Sequence, residues 1–466
     1  MIYQEFIQQK TTKSQATGIS VDDSQLNKNL FPFQRDLVKL ALKQGKFCLW
    51  TNTGTGKGLM LMSWADILIK TDTVARVLVL APLGVAKQLV GEGEKFGISI
   101  NYCVDDNDVI DGINVTNYEK LHKFDCSVFD AIVLDEASIL KNVAGKVRTE
   151  IIDTFRNTPY KLACSATPSP NDYMELGNQC EFLGVMSYNE MLSMFFVHDG
   201  GETSKWILKP HAQKAFWEFV CSWSLMLRMP SDLGYSDDGY ILPKLITKTH
   251  QVDTQINPPD GQLVFTDYTS LVGQRHIRKS SLQDRCRIAA SIVNNSNKQF
   301  LIWCETNDES ALLKKLIPDA VEVKGSDSDK HKEDSAYNFA QGNIRVLVSK
   351  PSIFGMGLNF QKCHTCIYVG LSHSFEQFYQ SVRRLWRFGQ QNEVTVHIIQ
   401  HHLEGAIAEN LRRKEDESNH MAGQMVKYMK AYSLEQLTGV KQVTVDYNPQ
   451  VEMRIPDWLI SEMMNH

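Results

Sequence analysis

The sequence predicts an α/β protein of two tandem parallel-sheet lobes joined by an aromatic-rich, mainly helical insertion, and three observations carry that expectation. Near residue 50 a short apolar strand runs through a glycine loop into an apolar helix. Short, continuous apolar runs then recur at intervals long enough for crossover helices, as suits a sheet buried on both faces. After an interruption over residues 185–248, the same alternation begins again.

Composition sets the outer bounds. The 466 residues suffice for roughly three domains of about 150 residues. With 43% hydrophobic residues and 49 Lys+Arg against 54 Asp+Glu, the chain is ordinary globular material of net charge −5. No apolar run approaches the ~20 residues of a membrane span, and the first fifteen residues lack the apolar core of a signal peptide. A cytoplasmic protein without a membrane partner is the expectation. Ten cysteines, scattered singly except for Cys363 and Cys366, read as reduced core residues. The lone C-H-T-C has no second pair at zinc spacing and leads straight into the apolar CIYVG. Residues 262–430 hold 22 Lys+Arg against 18 Asp+Glu, leaving 27 against 36 elsewhere, so a polyanion groove would draw on the C-terminal half.

Taken in order, residues 1–30 are polar and aperiodic and read as an N-terminal arm. Residues 31–184 form the first lobe: a helix over Phe33 to Lys43, the strand FCLW, the loop TNTGTGKG, the helix LMLMSWADILI, and strands at 77–82, 131–136 and 161–167. In the insertion, 185–248, the aromatics Phe195, Phe196, Trp206, Phe216, Trp217, Phe219 and Trp223 accumulate. Phe216, Phe219, Val220, Trp223 and Leu227 fall at helical spacing and predict one amphipathic helix. These rings either pack a small subdomain or stack on nucleic-acid bases. Segment 249–262, containing INPPDGQ, reads as a linker. The second lobe, 263–430, opens with a basic helix near Arg275 to Val293 and has strands at 299–304, 320–323, 344–349, 366–370 and 394–399. Residues 431–466 are a C-terminal extension without readable chemistry. Two such lobes imply a cleft between them.

The loop over residues 51–58 puts glycines at 54, 56 and 58, so backbone N–H groups converge on a phosphate with no Cβ in the way. The following helix aims its positive end at the same anion. Lys57 then supplies a point charge to β- and γ-phosphates, with Thr53, Gly54, Thr55, Gly56 and Gly58 around it. Asp135 and Glu136 end an apolar strand, which sets both carboxylates at the carboxyl edge of the sheet where α/β proteins bind ligands. One carboxylate holding Mg²⁺ (Asp135) and a second orienting the attacking water (Glu136) is the arrangement a nucleotide hydrolase needs.

The ordered set FPFQ (31–34), TGTGKG (53–58), APL (81–83), NYEKL (117–121), DEAS (135–138), SATP (165–168), GMGLN (355–359) and QSVRRLWRFGQ (380–390) resembles the motif series of superfamily-two helicases. Within them it is most similar to Swi/Snf-type double-stranded-DNA translocases, whose last motif has the form QxxxRxxRxGQ. The match covers about residues 30–400. ELGNQCEFLGVMS and FFVHDGG further resemble phage- and prophage-encoded members.

The resemblance implies two RecA-like lobes, ATP and Mg²⁺ as cofactors, and DNA, duplex or branched and not sequence-specific, as partner to a monomer. It assigns adenine reading to Gln34. Coupling of nucleotide state to lobe movement falls to Ser165, Thr167 and Gln380, and the interlobe face to Gly357 and Asn359. Arg384 and Arg387, three residues apart and so on one helix face, would reach across the cleft to charge developing on the γ-phosphate. Pro82, Asn117, Tyr118 and Lys350 are the candidates for DNA-backbone contact.

One position departs from the family. The residue after the loop lysine is normally Ser or Thr, whose hydroxyl ligates Mg²⁺; here it is Gly58, and a water would have to replace that ligand. The expected activity is ATP hydrolysis coupled to movement on, or remodelling of, DNA. Two alternatives stay open: a nucleotide-gated DNA-binding scaffold with weak turnover, motivated by Gly58, and an RNA helicase.

Overall fold

The four apolar runs of the first lobe become β1 (Lys46–Thr51), β2 (Arg76–Ala81), β5 (Ala131–Asp135) and β6 (Tyr160–Ser165) of one sheet, which also takes in β3 (Ile100–Tyr102) and β4 (Gly112–Asn117), strands that the sequence reading did not mark. The computed structural model describes residues 14–438 except 144, 170–171, 200–201, 257–270, 356–357 and 373. The start of the arm, most of the linker, Gly357 and the extension beyond 438 therefore lie outside the described residues.

Three more strands follow in the insertion: a hairpin, β7 (Phe196–Asp199) with β8 (Glu202–Leu208), and β9 (Ser224–Leu227). The seven-stranded sheet has the order β3-β4-β2-β5-β6-β1-β9 and every pairing in it is parallel. The carboxyl ends of β1, β6 and β5 are therefore adjacent, bringing the glycine loop, Ser165 and Asp135 to one edge. Phe47, Cys48, Leu49 and Trp50 of β1 are all buried, as a central strand covered on both faces requires.

The insertion holds the helices Tyr188–Phe195 and Gln213–Cys221, but the second is shorter than expected. The helix Gln213–Cys221 stops before Trp223, and Leu227 lies in β9, which pairs with β1 from Cys48↔Ser224 to Thr51↔Leu227. Apolar spacing cannot separate a buried helix from a buried strand, and here the sheet edge supplies hydrogen bonds that a continued helix would forgo. Phe195, Phe196, Phe216, Trp217, Phe219 and Trp223 are all buried in the first lobe's core. Base stacking by these six rings is thus excluded, and they are packing residues.

The second sheet consists of β10 (Leu245–Val252), β11 (Phe300–Trp303), β12 (Ala320–Glu322), β13 (Val346–Ser349), β14 (Thr365–Tyr368) and β15 (Val394–His401). It is also wholly parallel, in the order β10-β15-β14-β11-β13-β12. Residues 249–252, assigned from sequence to the linker, are instead the end of β10. The β-branched run Ile246, Thr247, Thr249 and Val252 pairs in register with β15. The single basic helix is two helices, Leu271–Ser280 and Leu282–Asn294, divided at Ser281. Its Arg285 is fully buried, ion-paired to Glu309 at 3.1 Å, and unavailable to a polyanion.

A hydrogen-bonded histidine pair, His250 Nε2 to His397 Nδ1 at 2.9 Å, joins β10 to β15. Burial, then His250 and Lys248, push His397 down to about 4. The folded state holds His397 neutral while the unfolded chain takes up a proton below about 6.5, so this contribution is complete above that pH and is lost as pH falls toward 4. Thermal denaturation followed from pH 7 to pH 4 should show His397→Gln losing several degrees less than the parent. Equal losses would exclude the histidine as the cause.

The helix Gly405–Thr438 leaves the second lobe after β15 and returns to the first. Met421, Met425 and Met429 enter the first lobe's core, and the Tyr428 ring stacks on Trp217 at 5.8 Å. At 1.5 Å per residue its 34 residues extend about 50 Å, which makes it a strap across both lobes. Among the described residues, no helix is long and apolar enough to cross a membrane.

Candidate nucleotide site between the lobes

The glycine loop bends because Gly54 and Gly56 hold φ of 88° and 84°, values that side-chain-bearing residues resist. Space is as restrictive as torsion: a Cβ on Gly56 would lie 2.3 Å from Gln34 Nε2, and one on Gly54 would lie 2.9 Å from the Phe388 backbone nitrogen of the second lobe. Gly56 caps the helix Lys57–Lys70, whose N-terminus faces the loop. Lys57 Nζ donates to the carbonyls of Thr51 (2.6 Å) and Asn52 (3.2 Å). Burial lowers its pKa, against the opposing pull of Glu136 and Asp135.

Gln34, buried at 2% exposure, accepts from the Phe31 N–H (2.8 Å) and donates to the Thr55 carbonyl (2.7 Å), so it braces the loop from behind. The Thr55 hydroxyl turns inward, bonding to Thr51 Oγ1 at 2.9 Å and the Asn52 carbonyl at 2.8 Å. Thr53 Oγ1 is buried without a partner.

Asp135 ends β5, and burial together with Glu136 raises it to about 7, with Lys57 opposing. Glu136 adopts φ 72°, a left-handed conformation unusual outside glycine, and its Oε1 accepts from Ser165 Oγ at 2.6 Å. Ser165 Oγ also accepts from the Thr167 N–H at 3.1 Å, which ties both to the acidic strand end, while the Thr167 hydroxyl is buried without a partner.

The second lobe presents the helix Phe375–Val382 and the turn after it. Arg384 Nε donates to the Gln380 carbonyl (2.9 Å), and both Arg384 and Arg387 donate to the Leu358 carbonyl (3.2 and 3.3 Å). Burial, then Arg387, brings Arg384 down to about 9, with Glu136 and Asp135 acting the other way. Both amide atoms of Gln380 are buried without partners. Tyr379 donates to Asn52 Oδ1 at 2.8 Å, and Lys141 pairs with Glu376, so the lobes touch directly.

These groups enclose a cleft of about 530 Å³, within the range of small-ligand sites. Of the residues singled out from sequence, it gathers Gln34, Thr53, Gly54, Gly56, Lys57, Gly58, Pro82, Asp135, Glu136, Asn359, Arg384 and Arg387. Thr55, Ser165, Thr167 and Gln380 are not in its lining. A second interlobe cleft, about 550 Å³, is lined by Pro82 and Tyr118 with Lys87, Tyr102 and Lys141, and Glu136 lines both clefts. Asn117 is buried at the end of β4, and Lys350 precedes the short helix Pro351–Phe354.

Sequence reasoning missed Phe31, Gln88, Glu92, Gln361 and Phe388, all of which line the nucleotide cleft. Phe31 and Phe388 lie inside the quoted motifs FPFQ and QSVRRLWRFGQ and were within reach of it. Gln88 and Glu92 sit on the helix Leu83–Phe96, and only their i,i+4 spacing hinted at a shared face. Among the described residues, no three or more His, Cys, Asp or Glu gather as a ready metal site.

A glycine phosphate loop, an acidic strand end and an arginine turn, contributed by two parallel sheets across one cleft, give the chain the two-lobed layout of a helicase-type nucleotide site. Two family models match: type III restriction enzyme, res subunit, over residues 8–170, and helicase conserved C-terminal domain over 283–389. The first model takes in the glycine loop and the acidic strand end and the second the arginine turn, so each lobe resembles one half of a superfamily-two helicase.

Among curated proteins it is similar to the SWI/SNF-related matrix-associated actin-dependent regulator of chromatin subfamily A-like protein 1 of Xenopus tropicalis, at 28% identity over 172 residues, and to that of Xenopus laevis, at 29% over 186. The matches take in 34% and 37% of this chain and span only 18% and 19% of those relatives. Among solved structures it resembles the Sulfolobus solfataricus SWI2/SNF2 ATPase core in complex with dsDNA (18% identity, TM-score 0.42, 90% of this chain, 99% of that one). It also resembles a fragment of an HsdR subunit of a type I restriction enzyme from Vibrio vulnificus (14%, 0.48, 81% and 64%).

Proposed function

We propose that this chain is an ATP-driven motor that moves along, or remodels, duplex or branched DNA as a monomer in the cytoplasm, by closing and opening its two lobes. The observation that carries the reading is Glu136, which lines both interlobe clefts and whose carboxylate is held by Ser165. A change at the nucleotide is thereby felt in the neighbouring cleft, where Pro82 and Tyr118 are positioned for a DNA backbone.

The residues fit a magnesium–nucleotide complex. Asp135 is a buried carboxylate raised to about 7 by burial and Glu136, and Lys57 lines the same cleft as Gly54, Gly56 and Gly58 of the loop. Asp135 would hold the magnesium ion, which would draw off negative charge from the phosphates. Glu136 orients water for in-line attack. Lys57 exchanges its loop carbonyls for phosphate oxygens. Arg384 and Arg387 meet the γ-phosphate only when the lobes are together, so hydrolysis and release of phosphate remove the charge that holds them there.

The decisive experiment is steady-state ATP hydrolysis without nucleic acid and with single-stranded DNA, duplex DNA, a four-way DNA junction and duplex RNA. Duplex or junction DNA should stimulate turnover by about tenfold or more. Raising salt from 50 to 200 mM should weaken DNA binding by about 10³-fold if six or more phosphates are contacted. Gly58 favours a second reading, a nucleotide-gated DNA clamp. It would be supported by nucleotide-dependent DNA binding without stimulated turnover.

A further inference from the structure

The missing hydroxyl at position 58 has a neighbour. A Cβ built on Gly58 would lie 3.0 Å from Glu92 Oε2 and 3.7 Å from Leu89 Cδ2. A Ser or Thr oxygen stands one bond beyond that Cβ, so the Glu92 carboxylate occupies the neighbourhood in which the family's metal-binding hydroxyl would be found. Glu92 is held there: Gln88 Nε2 donates to its other oxygen, Oε1, at 2.6 Å. Gln88 and Glu92 both line the nucleotide cleft with Lys57, Gly58, Asp135 and Glu136. A side chain at 58 would also push the carboxylate aside by a few tenths of an ångström.

We infer that Glu92, oriented by Gln88, is the magnesium ligand that replaces the absent loop hydroxyl, directly or through one water. The inference rests on the nucleotide-site reading above and goes beyond it to a residue outside the recognised motifs. Magnesium prefers oxygen ligands and keeps several waters, so a carboxylate replaces a hydroxyl without altering the ligand class. The exchange has an electrostatic consequence. A hydroxyl is neutral toward ATP, whereas a carboxylate beside Gly58 opposes the triphosphate until a cation screens it. Nucleotide binding in this protein should therefore depend on divalent cation more steeply than the loop and lysine alone would require.

The test measures metal and nucleotide binding apart from turnover. Mn²⁺ binding is followed by electron paramagnetic resonance in the presence of a non-hydrolysable ATP analogue, and analogue binding by fluorescence with and without Mg²⁺. The proteins compared are the parent, Glu92→Gln, Gly58→Thr, the double variant Gly58→Thr/Glu92→Gln, and Lys57→Ala. Glu92→Gln should weaken Mn²⁺ about tenfold or more while strengthening metal-free analogue binding. Gly58→Thr alone should also weaken Mn²⁺, because its side chain crowds Glu92. The double variant, carrying a loop hydroxyl and no opposing charge, should return to within about threefold of the parent, which a merely misfolded Glu92→Gln protein could not do. Unchanged Mn²⁺ affinity in Glu92→Gln, or additive losses in the double variant, would overturn the assignment of Glu92 while leaving the nucleotide site intact. A parent that binds analogue no better than Lys57→Ala overturns both.

Discussion

Arg384→Ala should lower DNA-stimulated ATP hydrolysis by about 10³-fold while nucleotide affinity changes by less than about tenfold. The reason is geometric. Arg384 is anchored through Nε to the Gln380 carbonyl and through one terminal nitrogen to Leu358, both in the second lobe, yet it lines the cleft that holds Lys57 and Asp135 of the first. Its charge counts only where the lobes meet, so it contributes to the transition state and little to the initial capture of nucleotide. Arg384→Lys should recover little of the loss, because an ammonium cannot keep the Gln380 and Leu358 bonds and still reach a phosphate oxygen. Parallel measurement of kcat and of analogue binding checks this. An unchanged kcat, or a loss confined to affinity, would move the role to Arg387.

Lys57→Ala should remove turnover to background and weaken analogue binding by about 100-fold, a double loss that separates it from Arg384→Ala. Lys57 is the cation at the centre of the loop, and without nucleotide it is held by the Thr51 and Asn52 carbonyls. Truncation therefore frees two carbonyls and deletes the one lysine that, among the described residues, lines the cleft at the glycine loop itself, though Lys95 lines it farther along. Equilibrium binding of a fluorescent ATP analogue, compared with the parent at fixed Mg²⁺, gives the first number, and phosphate release gives the second. Binding that survives at parental strength would contradict the phosphate-cradle reading of residues 51–58.

Much of this arrangement was legible because local rules and the global fold agree. Continuous apolar strands announced two parallel sheets, and the glycine loop, the Asp135–Glu136 strand end and the arginine turn were readable as fixed spacings. What escaped was decided by tertiary context. Trp223 and Leu227 kept helical spacing with Phe216, yet β1 offered an open edge to Ser224–Leu227 and won them as a strand. Residues 249–252 run toward the turn-forming INPPDGQ and resemble a linker, but β15 supplied a register that only pairing could reveal. Glu92 was invisible because its relation to Gly58 depends on how the helices Leu83–Phe96 and Lys57–Lys70 pack, not on any spacing along the chain. Arg285 shows the converse: counted as surface positive charge, it is spent on Glu309 inside the second lobe.

The returning helix bears on how the protein is made. Met421, Met425, Met429 and Tyr428 complete a core otherwise drawn from residues before 240. During synthesis, the first lobe emerges and forms its sheet while the face around Trp217 still lacks its cover. The whole second lobe must then be translated before that apolar surface closes. At about 5–20 residues per second the delay is on the order of tens of seconds. The nascent chain is thus exposed longest at the lobe that is finished last in space although it is written first in sequence, and that interval is where a chaperone or a misassembled neighbour would find it.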